Sequence, residues 1–289
     1  MQDGDGDHGV PAHQVSPRFG DDVGVSPRLR LVALLLAGLG VVAVAVALTR
    51  PAEAFAPEPP REPVYPDLVT LPLYDFLVGT DQETGAENLR FTASIANIGE
   101  GELRLDARRA NGSDEQWQVV QSFDEPDGQP SGVVTGANLV FGGHGHEHWH
   151  LKFGATYHLT AADSDEELDS QTKAGYCFFD HERLPDADDT IAPAEAVYLP
   201  ATCGDQGSTQ VTMGMSQGWS DPYFWQLEDQ SVEITGLPDG RYRLSATADP
   251  DGWLMESDET NNATTALLEI GTNADGLRTV ELVETDPAP

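Results

Sequence analysis

The chain has 289 residues and carries 49 Asp plus Glu against 15 Lys plus Arg, a formal charge of −34 at neutral pH. That balance excludes a nucleic-acid binder, which needs a basic face to displace phosphate counterions, and it disfavours a peripheral binder of anionic lipid for the same reason. A wholly disordered acidic chain is excluded too, because 39% apolar residues with 5 Trp, 7 Tyr and 10 Phe are enough to build a core.

Residues 1–27 are rich in Asp, Gly and Pro, lack apolar periodicity and read as a disordered tail. Residues 28–50 contain the uncharged run 31–48, flanked by Arg28, Arg30 and Arg50. A bilayer-spanning helix needs about 20 residues, so this run is a short transmembrane anchor, with the preceding Arg28 and Arg30 keeping the N-terminus cytoplasmic. A cleaved signal peptide is the alternative, with a small-x-small site at Ala52-Glu53-Ala54. Either reading exports everything after residue 50. Residues 51–66 hold six prolines and read as a stiff spacer. Residues 67–289 read as one all-β domain, a β-sandwich with long loops.

The strand signals are period-two alternations. Leu89, Phe91, Ala93 and Ile95 alternate with Arg90, Thr92 and Ser94, and Tyr242, Leu244 and Ala246 alternate with Arg241, Arg243 and Ser245. Ala266, Leu268 and Ile270 repeat the pattern, so each segment is expected to be a half-buried strand. Gly99-Glu100-Gly101 and Pro238-Asp239-Gly240 mark turns. Residues 161–170 and 183–195 read as acidic loops.

Five of the 8 histidines fall close together, at His144, His146, His148, His150 and His158. Imidazole suits copper and zinc alike. On a flat strand His146, His148 and His150 share a face, but their ends lie about 13 Å apart, too far for one ion with bonds of about 2 Å. A metal site here therefore requires a curled backbone, which Gly142, Gly143 and Gly145 permit. A solvated histidine-rich loop is the bland alternative. The 2 cysteines, Cys177 and Cys203, suggest one disulfide in an oxidising compartment, free thiols being the alternative.

Lysine is almost absent. Of the 15 basic residues only Lys152 and Lys173 are lysines, a composition typical of proteins kept soluble in concentrated salt by hydrated carboxylates. An ordinary acidic extracytoplasmic protein is the alternative. Lys173 sits in TKAGYCFFD at 172–180 and, unlike an arginine, is a nucleophile when deprotonated; a surviving surface lysine is the alternative.

Several ordered blocks now come together: PDLV at 66–69, LRFTASIANIGEGELRL at 89–105, HEHWH at 146–150, TKAGYCFFD at 172–180, GMSQGWSDPYFWQLEDQSVEI at 214–234 and ESDETNN at 256–262. Each is weak alone, and the C-terminal blocks also suit immunoglobulin-like adhesion modules. In this order the sequence resembles the lysyl oxidases over about residues 66–272. The resemblance implies a β-sandwich catalytic domain with immunoglobulin-like C-terminal strands. It implies copper held by His146, His148 and His150, with His144 outside the pattern. It implies a lysine tyrosylquinone made from Lys173 and Tyr223. The implied reaction is oxidative deamination of a primary amine, either peptidyl lysine on surface proteins or a small free amine. Dioxygen is the acceptor, and the products are aldehyde, ammonia and hydrogen peroxide. Asp221 and His158 are the candidates for the general base.

ESDETNN offers the oxygen donors that a hard cation prefers. The resemblance implies calcium on Asp67, Leu68 through its carbonyl, Glu256, Asp258, Asn261 and Asn262; an ordinary β-turn is the alternative. Two further functions compete with the oxidase: a copper-binding surface protein without turnover, and an adhesive β-sandwich. The presence of both Lys173 and Tyr223 separates the oxidase from these.

Overall fold

A computed structural model describes residues 63–124, 130–142, 147–164, 166–173, 175–227 and 230–287. The tail, the apolar run at 31–48, most of the proline-rich spacer, His144 and His146 lie outside the described residues. The described residues all belong to one compact unit, Pro59–Pro289. They are all-β, as expected, with a single 3-10 turn at Pro200–Cys203.

A six-stranded sheet is built around β3 (Glu87–Asn97). The first half of β3 pairs with β2 (Tyr74–Thr80) and β14 (Ser231–Glu233), and the second half with β1 (Leu68–Thr70) and β13 (Trp219–Tyr223). The short β11 (Glu182–Arg183) extends β13. A five-stranded antiparallel sheet runs β10 (Glu167–Lys173), β9 (Ala155–Ala161), β15 (Gly240–Ala248), β16 (Ala263–Thr272) and β17 (Arg278–Thr285). A four-stranded sheet orders β12 (Gln210–Met215), β4 (Leu103–Arg108), β5 (Gln118–Asp124) and β6 (Pro130–Val134). Finally β7 (Leu139–Phe141) and β8 (Trp149–Leu151) form a separate two-stranded ladder.

The alternating segments at 242–246 and 266–270 are strands with one buried face, as expected. The segment at 89–95 is a strand but not a half-buried one. Thr92 and Ser94 are buried along with Leu89, Phe91, Ala93 and Ile95, because β3 is central and both of its faces are covered. The expected loop at 161–170 is also shorter than its composition suggests: β9 runs to Ala161 and β10 begins at Glu167. An edge strand that pairs on one side only tolerates the acidic residues that made this stretch look like a loop.

Two cores result. In the first, Leu89 and Phe91 face Tyr157, Leu159, Leu244 and Leu268 across the two large sheets, with the Phe91 and Tyr157 rings edge to face at 4.8 Å. The second joins Leu68, Ile95, Leu103, Leu105, Met213 and Met215 to Trp149, Tyr176, Trp219 and Tyr223. Residues 63–66, assigned by composition to the spacer, pack on the domain: Tyr65 meets Phe123 at 5.1 Å, and its carbonyl accepts from the Gly101 N–H at 3.0 Å. A side chain at Gly99 or Gly101 would collide with the backbone of residues 64–67, so both glycines keep that strand seated.

Cys177 and Cys203 form a disulfide with a Cα–Cα distance of 6.1 Å across 26 residues of sequence. The chain-entropy model for a loop of that size gives roughly 3 kcal/mol. Replacing both cysteines by alanine is expected to lower the unfolding free energy by about that amount. Denaturant unfolding of the wild type and the double variant measures the difference; equal midpoints would contradict it.

Candidate active site

The β7–β8 ladder pairs Leu139 with Leu151, Val140 with His150 and Phe141 with Trp149, and the Gly142 N–H donates to the His148 carbonyl at 2.9 Å. Alternation puts Trp149 on one face and His148 and His150 on the other. Two residues apart on a flat strand are separated by about 6.6 Å. The two imidazole centroids lie only 4.4 Å apart, because His148 sits at a bend just before β8 begins. The curling that a shared ion requires is thus present at this pair, and two converging imidazoles are a donor set that fits copper. His150 is buried and His148 is half-buried.

The lysine segment passes directly against this pair. A Cβ built on Gly175 would meet the His150 side chain and, at 3.4 Å, a methyl of Val140. One residue on, Tyr176 bridges β8: the Leu151 N–H donates to the Tyr176 carbonyl at 2.6 Å, and the Tyr176 N–H returns to the Leu151 carbonyl at 2.9 Å. Next, the Cys177 N–H donates to the Tyr223 hydroxyl at 3.0 Å, and the Tyr176 and Tyr223 rings lie 4.1 Å apart. At the other end of the segment, β10 pairs Lys173 with Ala155 and Gln171 with Tyr157. The backbone of Lys173 is therefore in phase with the buried positions of β9.

Tyr223 and Asp221 are two residues apart on β13, so they share one face, and both are buried. Burial pushes the Tyr223 phenol well above its ordinary value, and the hydrogen-bonded Asp221 carboxylate beside it pushes further in the same direction. The phenol therefore keeps its proton at neutral pH. Tyr176 is raised as well, first by burial and then by its pairing with Tyr157 at 2.7 Å. Tyr157 is pushed up to about 12 by burial and also donates to the Gln230 side-chain Oε1 at 3.1 Å.

Of the two base candidates, only Asp221 is brought to Tyr223. His158 leaves β9 on the face opposite Tyr157 and pairs with Glu167 at 2.8 Å near solvent. The Gly175 contact, the Tyr157–Tyr176 pair and Arg109, which lies over Trp149, carry no sequence signature.

The residues expected around calcium also meet, with one difference. Asn261 donates to Asp67 at 2.9 Å, the Leu68 N–H to Glu256 at 2.5 Å and Asn262 to Glu256 at 2.8 Å. The buried Oδ1 atoms of Asn261 and Asn262 have no hydrogen-bond partner, as oxygens that face a cation would. Asp258, however, is exposed and bonds Thr260 within its own turn, at 2.8 Å to the N–H and 2.6 Å to the hydroxyl. The carboxylates that gather within 4.8 Å are instead those of Asp249, Glu256 and Glu259. Burial pushes Glu256 up to about 8.

Residues 141–275 match the family model described as lysyl oxidase. That stretch is just under half of the chain and contains His146, His148, His150, Lys173, Asp221, Tyr223 and the whole of ESDETNN. It supports the lysyl oxidase family for this region, and with it oxidoreductase chemistry dependent on copper. No curated protein matches the chain.

Gly175→Ala is expected to push the 173–177 segment off His150. Overpacking of this kind costs about 1–3 kcal/mol, and the displaced histidine should take up copper more weakly. Thermal unfolding and a copper titration against a chelator check both effects; a variant with wild-type values in each would contradict the close packing.

Proposed function

We propose that the chain is a copper-dependent amine oxidase that makes a lysine tyrosylquinone from its own Lys173 and Tyr223 and deaminates primary amines outside the cytoplasm. One observation carries this reading: a single segment starts at Lys173, packs through Gly175 on His150, and ends with the Cys177 N–H on the Tyr223 hydroxyl. Three chemistries distant in sequence thereby share one strip of backbone. His146, His148 and His150 would hold the copper. Bound copper and the quinone supply the oxidising power and the electron sink for removing hydride equivalents from an amine, with dioxygen as the final acceptor.

The protein groups do the rest. Cys177, fixed by its disulfide and by its N–H bond, holds the Tyr223 ring in one orientation. Packing against Tyr176 keeps water from that ring. Asp221, buried beside Tyr223, would take the proton from the substrate carbon. The substrate is a primary amine, either a lysine side chain of a surface protein or a small free amine. At low salt the acidic surface would concentrate such cations, whereas at 1 M salt the screening length is about 3 Å and the same carboxylates mainly keep the protein soluble. The second acidic cluster would hold calcium, tying β1 to the turn before β16 through Asp67, Leu68, Glu256, Asn261 and Asn262. Residues 28–50 would anchor the domain at the membrane or direct its export.

The oxidase reading is tested by loading the full chain with copper in air and mapping its peptides by mass. A cross-linked pair carrying Lys173 and Tyr223 is expected, along with hydrogen peroxide on addition of a simple primary amine. Lys173→Arg should abolish both while leaving copper bound. Unlinked peptides without peroxide would overturn the reading.

The calcium site has a pH signature. Burial raises Glu256 from 4.5 to about 8, so the folded chain holds this proton more tightly than the unfolded one. The stability contributed by that difference is complete below 4.5 and is lost as pH rises through about 8. Cation-free protein should therefore lose more melting temperature between pH 5 and pH 9 than Glu256→Gln does, and millimolar calcium should restore the wild type chiefly at the high-pH end. An equal calcium effect at both pH values would contradict the assignment.

A further inference from the structure

Arg109 follows β4 directly and is buried, with 9% of its surface exposed. A buried cation normally sits against a carboxylate. In a chain with 49 acidic residues, the partners of this one among the described residues are three backbone carbonyls. Nε donates to Ser208 at 2.7 Å, Nη1 to Asp114 at 3.0 Å and Nη2 to Gln206 at 2.5 Å. Its guanidinium carbon also lies 4.4 Å from the centre of the Trp149 ring and 4.8 Å from that of Trp117. Carbonyl dipoles and the negative faces of two indoles thus replace the missing anion.

Trp149 stands between His148 and His150 on β8. Among the described residues the β7–β8 ladder has three residue pairs, and a two-stranded ladder is marginal by itself. Besides the Tyr176 bridge to Leu151, β8 is held by the setting of Trp149: the Arg109 guanidinium, the Trp117 ring at 4.9 Å, the Phe141 ring at 5.2 Å and the Asp205 carbonyl, which accepts from Nε1 at 2.7 Å. Because alternate side chains leave a strand on opposite faces, fixing the indole on one face fixes the His150 imidazole on the other, and His148 is held at the bend directly before Trp149. The 206–208 segment that Arg109 grips also begins three residues after Cys203, whose disulfide partner Cys177 bonds the Tyr223 hydroxyl.

We propose that Arg109 is a positioning residue of the copper centre, which sets the directions of His148 and His150 by holding Trp149 and the 206–208 backbone as one unit. The inference rests on the copper reading of those histidines. Lysine cannot substitute, because a single ammonium point charge does not reach three carbonyls and two ring faces at once, as the planar fork does.

The test uses the full chain as Arg109→Lys and Arg109→Met. Near-UV circular dichroism of the copper-free proteins reports the fold. Copper affinity comes from chelator competition, and electron paramagnetic resonance of bound copper(II) reports ligand geometry. Both variants are expected to fold and to bind copper roughly 10–100-fold more weakly, the usual cost of losing a group that orients metal ligands. Their copper(II) spectra should be altered or mixed, a signature that a purely structural role would not produce. If both variants unfold, Trp149→Leu decides: it keeps the carbonyl clamp of Arg109 and an apolar side chain and removes the indole face together with its Nε1 bond to Asp205, and it is expected to show the same altered spectrum. Wild-type affinity and spectrum in the folded Arg109 variants, or in Trp149→Leu where those unfold, would overturn the inference. A wild-type chain that binds no copper, or binds it equally well after His148→Ala and His150→Ala, would instead overturn the copper reading on which it rests.

Discussion

Gly175 has no side chain, and the place a Cβ would take is already filled by His150. This contact lets the backbone between β10 and Cys177 lie directly on the face of β8 that carries the histidines. From there the remaining distances follow. The Tyr176 bridge to Leu151 fixes the depth of the segment, and the Cys177 N–H at the next residue reaches the Tyr223 hydroxyl at 3.0 Å. The disulfide then holds this end against the loop after Pro200–Cys203. A bulkier residue at 175 would separate the histidine strand from the tyrosine strand, even though neither strand contains it.

The site is buried mainly in the second core, where aromatic rings and backbone dipoles do work that charged side chains do elsewhere. Tyr176, Tyr223 and Trp149 sit at its centre, and the one arginine that enters is satisfied by carbonyls and indoles. Asp221 is the acid placed beside the phenol, and burial together with that neighbour keeps the Tyr223 proton in place. The large negative charge lies mostly on the surface, where it affects solubility and, at low salt, the local concentration of cations. The charge therefore tells little about the chemistry, and the near-absence of lysine tells more: Lys173 survives in the segment that joins the two halves of the site.

Much of the fold was legible because its strands alternate. The segments at 242–246 and 266–270 bury one face, which is the condition under which period two appears. β13 was not legible as a strand. All five of its residues are buried and it contains Pro222, so it has neither alternation nor a full set of donors. β10 was hidden by the acidic residues that an exposed edge tolerates. In the site, residue types and order pointed to Lys173, Tyr223 and the histidines. Distances between elements far apart in sequence leave no periodic trace, so the His150–Gly175 contact, the Arg109 clamp and the joining of Asp249 and Glu259 to Glu256 required coordinates. The same limit applies to the base: His158 and Asp221 were equal on sequence, and only the phase of β9 separates them.

We propose that Tyr223, bonded by the Cys177 N–H, is the residue converted to a quinone. Phenylhydrazine forms a coloured covalent adduct with quinone carbonyls. Copper-loaded, air-exposed protein treated with it should yield one chromophoric peptide, carrying Tyr223 joined to Lys173. No adduct, or an adduct on the neighbouring Tyr176 instead, would contradict the account.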